Sequence, residues 1–401
     1  MKFKYKARNQ SGKLQEGIVE ATTLANASAV LQRHNLIVVS IEPVEESGLL
    51  MSISRVWEGV GAKEFVVFSR QLAVMIEAKV PIMTAIKGII NQAENPYFAK
   101  VLSSVLADID EGKSLSESLG KHKDVFSDLY INMIQSGEVS GNLQKSLNDL
   151  ADNVEKNYAL TQKVKGVLYY PAFIMTAFFL VGFLMMTFVV PKLTEMLEDT
   201  NAKLPITTKI LMATGSFMQS YWWAVLLAII LAVAGLIYYV RTDDGKKEFD
   251  VIKLKLPIVS KVFRYIYLAR FAENFSTLVR SGIPIVNALH ISGRVVGNSV
   301  FEQAINEAAE KVKTGGTISE VLARKKEFPP IMTQMIKVGE ETGKLDTTLT
   351  SMAKFYEREA DQIISNLSSI IEPILIVLLG VGVGILVFSI IIPIYNIAQG
   401  M

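Results

Sequence analysis

The sequence predicts a mainly α membrane protein: two tandem six-helix cytoplasmic bundles, three transmembrane helices and a small N-terminal α/β module. Three observations predict it. One stretch occurs twice, three uncharged runs are long enough to cross a bilayer, and apolar residues elsewhere recur at spacings of three and four.

The duplication organises the rest. Met133-Ile134-Gln135-Ser136-Gly137-Glu138-Val139-Ser140-Gly141-Asn142-Leu143 returns as Met335-Ile336-Lys337-Val338-Gly339-Glu340-Glu341-Thr342-Gly343-Lys344-Leu345. The register extends downstream through Leu147/Leu349, Glu155/Glu357, Pro171/Pro373 and Pro191/Pro393. Upstream it holds through Phe68/Phe271, Pro81/Pro284, Ala85/Ala288, Gly112/Gly315, Ser116/Ser319 and Glu117/Glu320, after a one-residue gap between Leu119/Leu322 and Phe126/Phe328. The unit is about 130 residues long.

Composition narrows the function classes. Half of the 401 residues are hydrophobic (50%), and the mean hydropathy of +0.33 is high enough to expect membrane segments. A net charge of +2 is too small to argue for nucleic acid. With no cysteine, disulfides, thiolate metal sites and cysteine nucleophiles are excluded. Met1-Lys2-Phe3-Lys4-Tyr5-Lys6 has no apolar run behind its charges, so no signal peptide is expected and membrane entry falls to internal helices.

Taken in order, residues 1–46 read as the α/β module. Phe3, Tyr5 and Ala7 alternate with basic residues, Gly17-Ile18-Val19 begins a second strand, 21–34 is helical in period, and 36–41 is a last strand. A linker spans 47–62. The first repeat, 63–165, opens with Phe65, Phe68, Leu72, Met75 and Ile76 on one helical face. Lys79-Val80-Pro81 ends that helix and Gly112 stops a third. Ser114-Leu115-Ser116-Glu117, repeated as Thr317-Ile318-Ser319-Glu320, reads as a capping box. A helix from about Asp128 is expected to end at Gly137, and a longer one to start near Leu143.

The apolar runs 172–190, 222–240 and 374–392 satisfy the bilayer length rule. They place transmembrane helices at 166–191, 220–240 and 369–398, an external loop at 192–219 and the second repeat at 241–368. The first and third spans occupy equivalent places in the repeats; the second brings the chain back. Lys156, Lys163 and Lys165 precede the first span and Arg241, Lys246, Lys247 and Lys253 follow the second, whereas the tail after Pro393 has no basic residue. This bias puts the N-terminus and both repeats in the cytoplasm and the C-terminus outside.

Met-Ile-x-x-Gly-Glu-x-x-Gly-x-Leu in two helical repeats, each running into a proline-led span, resembles the inner-membrane platform protein of type IV pilus and type II secretion machines, over about residues 63–398. Arg70-Gln71-Leu72 before Lys79-Val80-Pro81, and Val279-Arg280-Ser281-Gly282-Ile283-Pro284, are similar to its helix-one signature, and the N-terminal module resembles the small domain that precedes the first repeat. Two departures are visible: Lys79 stands where glycine is usual, and Ser127 follows Phe126 where proline is usual, as at Pro329. The resemblance implies a non-enzymatic platform in the bacterial inner membrane, a homo-oligomer with a dimer favoured. Its implied partners are a hexameric cytoplasmic assembly ATPase, pilins or pseudopilins, other inner-membrane assembly subunits and the lipid bilayer. Pilus assembly is the main reading, the equivalent secretion platform the alternative, and a small membrane transporter a distant third.

Each motif has a functional and a structural reading. Glu138 and Glu340 are contacts for the ATPase or the partner repeat; otherwise Gly137 and Gly339 cap helices, Glu138 and Glu340 open the next ones, and Gly141 and Gly343 complete the interhelical turns. The repetition of the turn favours the structural reading. Gly339 to Leu345 fails as a phosphate loop, because the glycine spacing is short and Leu345 replaces the hydroxyl. Gly380 and Gly384, and Ala224, Ala228 and Ala232, are small-residue stripes for homodimerisation, pilin docking or packing among the spans. Pro171 and Pro373 are expected to kink the helices at membrane entry. His34, His122 and His290 are too scattered to share a metal, and Asp108, Asp110 and Glu111 read as a solvated surface rather than a cation site. No catalytic residue and no cofactor is expected.

Overall fold

The computed structural model describes residues 2–8, 14–20, 30, 37–43, 59–190, 206–256 and 259–400. The chain divides into two compact units, Met1–Val60 and Gly61–Met401.

In the first unit β1 (Lys2–Arg8), β2 (Leu14–Glu20) and β3 (Ile37–Pro43) form an antiparallel sheet of order β2-β1-β3. Tyr5 lies opposite Gly17 on one side and Ile41 on the other. The second strand starts earlier than its Gly17-Ile18-Val19 core suggested. The helix expected at 21–34 and most of the 47–62 linker lie outside the described residues.

The second unit is helical. The first repeat contains α1 (Ala62–Glu77), α2 (Ile82–Ile90), α3 (Pro96–Asp110), α4 (Leu115–Gly120), α5 (Asp128–Ser140) and the start of α6 (Leu143–Leu184), which continues as a π turn over Met185–Val189. After α7 (Ile206–Arg241) and α8 (Asp243–Lys255), the second repeat follows with α9 (Val259–Arg280), α10 (Ile285–Val295), α11 (Ser299–Lys313), α12 (Ile318–Leu322), α13 (Pro330–Thr342) and α14 (Leu345–Gly400). Each repeat is thus a six-helix bundle whose sixth helix runs on into an apolar span. At 1.5 Å per residue the 56-residue α14 is about 84 Å long, enough for both tasks.

The same sequence devices build both bundles. Asn95 caps α3 by accepting from Tyr97 N (2.9 Å) and Phe98 N (3.3 Å), and Asn298 caps α11 through Val300 N (3.0 Å) and Phe301 N (3.3 Å). Phe68 meets Phe98 at 5.2 Å and Phe126 at 5.9 Å between ring centroids. The duplicate rings repeat the cluster, with Phe328 5.7 Å from Phe271 and 5.2 Å from Phe301. All six rings are buried, each burial stabilising its bundle by about 1.5–3 kcal/mol.

Both departures from the family pattern have a geometry. Lys79 adopts φ 60°, the left-handed conformation of its counterpart Gly282 (φ 79°). Ser127 is the N-cap of α5 and its hydroxyl accepts from Tyr130 N at 3.3 Å, whereas Pro329 occupies that position before α13 with no side-chain bond.

Several boundaries differ from expectation. α5 does not end at Gly137 but runs to Ser140. α7 begins at Ile206, so much of the stretch expected to be external loop is helix. The kinks expected at Pro171 and Pro373 would fall inside α6 and α14, which are helical through both prolines; in α7, Tyr221 leaves helical geometry (φ −121°, ψ 19°). A proline removes one amide donor and its ring presses on the carbonyl four residues back, which bends a long helix without having to end it.

Candidate functional site

The duplicated motif is a three-way junction. Gly141 takes the left-handed conformation (φ 70°) at the end of α5, with Asn142 N donating to Gly137 O (2.8 Å) and Gly141 N to Glu138 O (3.3 Å). This is the glycine-terminated helix end that satisfies two orphan carbonyls. Gly343 (φ 68°) repeats it, with Lys344 N donating to Gly339 O at 3.0 Å. Gly137 lies inside α5 because α6 crosses there: an added Cβ would sit 3.1 Å from the Leu143 Cα and 2.6 Å from the Ser146 hydroxyl. At Gly339 it would sit 3.1 Å from the Leu345 Cα.

Glu138 turns away from the next helix and back to the start of α4. Its carboxylate accepts from Leu115 N (2.7 Å), Ser116 N (3.3 Å) and the Ser116 hydroxyl (2.5 Å). Glu340 does the same for α12, accepting from Ile318 N (2.5 Å), Ser319 N (3.1 Å) and the Ser319 hydroxyl (2.5 Å). The first amides of each short helix are thereby satisfied by an anion at the positive end of the helix. The expected capping box is half formed. Ser114 and Thr317 accept from Glu117 N and Glu320 N, but the carboxylate at each helix start is Glu138 or Glu340, which takes the first two helical amides rather than the N-cap amide.

The two repeats meet along a polar seam. Asp128 pairs with Arg294 (2.6 Å), Asp149 with Arg280 (2.9 Å), Lys156 with Glu273 (2.6 Å) and Lys163 with Asp361 (2.6 Å). The Ser136 hydroxyl donates to Ser281 O (2.6 Å), and the buried Asn153 amide donates to the Asn274 side-chain oxygen (2.9 Å). Toward the spans the seam turns apolar, with Leu160 of α6, Val262 and Ile266 of α9, and Ala360 and Ile364 of α14 in one cluster. Within the first repeat, Arg70 of α1 grips Glu155 (2.7 and 2.6 Å) and Asp152 (2.6 Å) on α6. The guanidinium beside Glu155 holds that carboxyl below the usual range.

Asp108, Asp110 and Glu111 do not form a cation cage. Lys113 and Lys121 each lie 2.6 Å from Asp108 Oδ1, and Lys113 foremost holds the Asp108 carboxyl below its ordinary range. Among the described residues no group of acidic and histidine side chains is placed to hold a metal. Gly339 to Leu345 is a helix end, with a helix on either side of it.

In the third span the packing glycine is Gly382. A Cβ there would lie 2.6 Å from Phe178 of α6, whereas Gly380 and Gly384 have nothing within 4 Å. Ala224 is half-buried, and Ala228 and Ala232 are exposed within the single chain.

The profile of the family described as "Type II secretion system (T2SS), protein F" matches residues 68–191 and 271–393. The chain belongs to this family. The matched segments are the two repeats with their first and third spans, and the protein F N-terminal domain profile matches residues 1–42. The chain is 35% identical over 397 residues to the type IV pilus assembly protein PilC of Thermus thermophilus, covering 98% of both chains. It is 33% identical to PilC of Myxococcus xanthus (99% of this chain, 95% of the relative). It is 30% identical to the type II secretion system protein F of Pseudomonas aeruginosa (99% and 98%).

Three apolar helices and membership of the protein F family make this an inner-membrane protein. Sequence reasoning missed the seam that joins the two protein F repeats. The mark of the seam is structural and not in the spacing: α9 buries Phe271, Ala272, Asn274, Phe275, Ser276, Thr277 and Leu278 in near succession, while α1 buries one stripe only. A helix covered on all sides must have a second neighbour.

Proposed function

We propose that this protein is the inner-membrane platform of a type IV pilus, coupling a hexameric cytoplasmic assembly ATPase to insertion of pilin subunits at the filament base. Both bundles and the N-terminus face the cytoplasm and the C-terminus lies outside, as the Lys and Arg bias suggests. The observation that carries the reading is the continuity of α6 and α14, each a bundle helix and a span in one piece. Displacing a bundle then displaces its span without an intervening hinge. The protein hydrolyses nothing itself, and works as a homo-oligomer, most simply a dimer, alongside other inner-membrane assembly subunits.

In this reading Gly137, Glu138 and Gly141, with Gly339, Glu340 and Gly343, are interhelical turns that keep each bundle stiff, not the ATPase contact. Gly380, Gly384, Ala228 and Ala232, open within one chain, face a second copy, a pilin or lipid. A second reading, the equivalent platform of a type II secretion system, is favoured by the near full-length similarity to the Pseudomonas aeruginosa protein. Site-specific photocrosslinking in cells tests the coupling. Probes on the exposed faces of both bundles should capture the assembly ATPase, and probes in the spans should capture pilin; capture of neither contradicts the proposal.

A further inference from the structure

A cleft of about 350 Å³ lies between the two repeats, where α6 passes α9. Its lining includes Asn157, Thr161, Gln162 and Lys165 from α6 and Arg270 and Asn274 from α9, with Phe65 and Tyr130 as apolar wall, and no Asp or Glu. Every other inter-repeat cation of the seam described above has a carboxylate within 3 Å. Arg270 has none. Its Nη2 donates to the Thr161 hydroxyl at 3.2 Å, and its buried Nε has no partner. Gly297, at φ 88°, passes so close that a Cβ there would lie 3.2 Å from Nη1. The backbone therefore makes room for the guanidinium rather than answering its charge.

Arg270 is half-buried with its Nε enclosed, and a guanidinium enclosed that far without a carboxylate is costly, since it keeps its proton and loses part of its water. Burial lowers its pKa, and no carboxylate opposes that. The planar fork offers five N–H donors in the geometry that grips a phosphate through two parallel bonds. The position along α6 says which phosphate is near. Lys165 is the last charge before the uncharged run that opens at Gly166, and Thr161 lies only about 7.5 Å below that run at 1.5 Å per residue. Basic pockets at the base of membrane helices are where anionic headgroups settle.

We propose that the cleft between the repeats is a phosphate site that takes the headgroup phosphate of an anionic phospholipid, anchored by Arg270 with Lys165 at its rim. The occupied site would tie α6 to α9 at the height of the bilayer surface, so that lipid stabilises the docking of one repeat on the other.

The test uses the full-length protein in nanodiscs of phosphatidylcholine, with and without phosphatidylglycerol, and inorganic phosphate titrated separately into the phosphatidylcholine discs. The readout is the thermal midpoint, which rises when a ligand binds only the folded state. Phosphatidylglycerol should raise the wild-type midpoint, and Arg270→Gln should lose at least half of that rise. Lys165→Gln, at an exposed rim position, gives the same readout should Arg270→Gln fail to fold, and its rise should also shrink. An equal rise with inorganic phosphate alone would support the phosphate site and overturn the lipid as its source. A response to phosphatidylglycerol that is the same in wild type and both variants, or no wild-type response to either ligand, would overturn the site.

Discussion

The carboxylate of Glu138 lies 2.5 Å from the Ser116 hydroxyl and 2.7 Å from the Leu115 amide, and Glu340 holds Ser319 and Ile318 in the same way. One acidic side chain per repeat thus ties the end of the fifth helix to the start of the fourth.

Removing that tie exposes three donors in a half-buried turn. Glu138→Ala and Glu340→Ala should each lower unfolding stability by about 1–3 kcal/mol, measured by chemical denaturation in detergent. The sites lie in separate bundles, so the double variant should show the sum to within about 0.5 kcal/mol. Glu→Ala variants as stable as the parent would mean that the carboxylates serve a partner instead of the turn.

Lys79 carries the left-handed φ of 60° that Gly282 carries at 79°. Lys79→Gly should therefore raise stability, by about 0.5–1 kcal/mol once the added freedom of the unfolded chain offsets part of the relieved strain. Gly282→Ala should lower it by a similar amount. Both are read from the same denaturation curves, and a loss on Lys79→Gly would contradict the turn geometry.

The seam predicts a double-mutant signature. Asn153→Ala leaves the buried Asn274 side-chain oxygen without its donor and should cost about 1–3 kcal/mol, while replacing both asparagines should cost less than the two single changes together. The more exposed pair Asp128–Arg294 should be worth under about 1 kcal/mol. Its charge-swapped double variant should restore whatever either single reversal removes.

The sequence made the architecture legible because a duplication states each turn twice. The helix count, the spans and the repeat register all follow from Gly, Pro and apolar spacing, which act locally. The junction did not follow. Glu138 meets Leu115 across 23 positions, and nothing in the spacing of α5 says that its last turn bends back rather than forward. The rotation of the spans was equally hidden, since Gly380, Gly382 and Gly384 are alike in sequence and only Gly382 meets Phe178. A span's rotation is set by its neighbours, not by its own composition.

Gly382 gives a prediction of its own. Gly382→Leu should destabilise the protein by forcing the third span off Phe178 of the first, whereas Gly380→Leu should leave the thermal midpoint of the single chain unchanged. If Gly380 faces a second copy, Gly380→Leu should reduce dimer crosslinking in membranes; an unchanged crosslink would move the interface elsewhere.

Acid should release the first bundle. Lys113 and Lys121 hold the Asp108 carboxyl below its ordinary 3.8, and Arg70 holds Glu155 below its own. Groups depressed in the folded state contribute stability above their unfolded values and lose it as pH falls through the folded ones. Denaturation midpoints should thus fall in strong acid, below the ordinary carboxylate range, and Asp108→Asn should flatten part of that fall. An identical acid limb in the variant would remove Asp108 from the account.

The most direct measurement is deletion of the gene in the source organism, with surface filaments imaged and exported proteins compared with the parent. Filaments should be lost and the exported proteins unchanged, and the wild-type gene should restore the filaments. Filaments intact with exported proteins missing would contradict the pilus assignment and establish the secretion platform. If neither changed, in a parent shown to do both, the platform role itself would be contradicted.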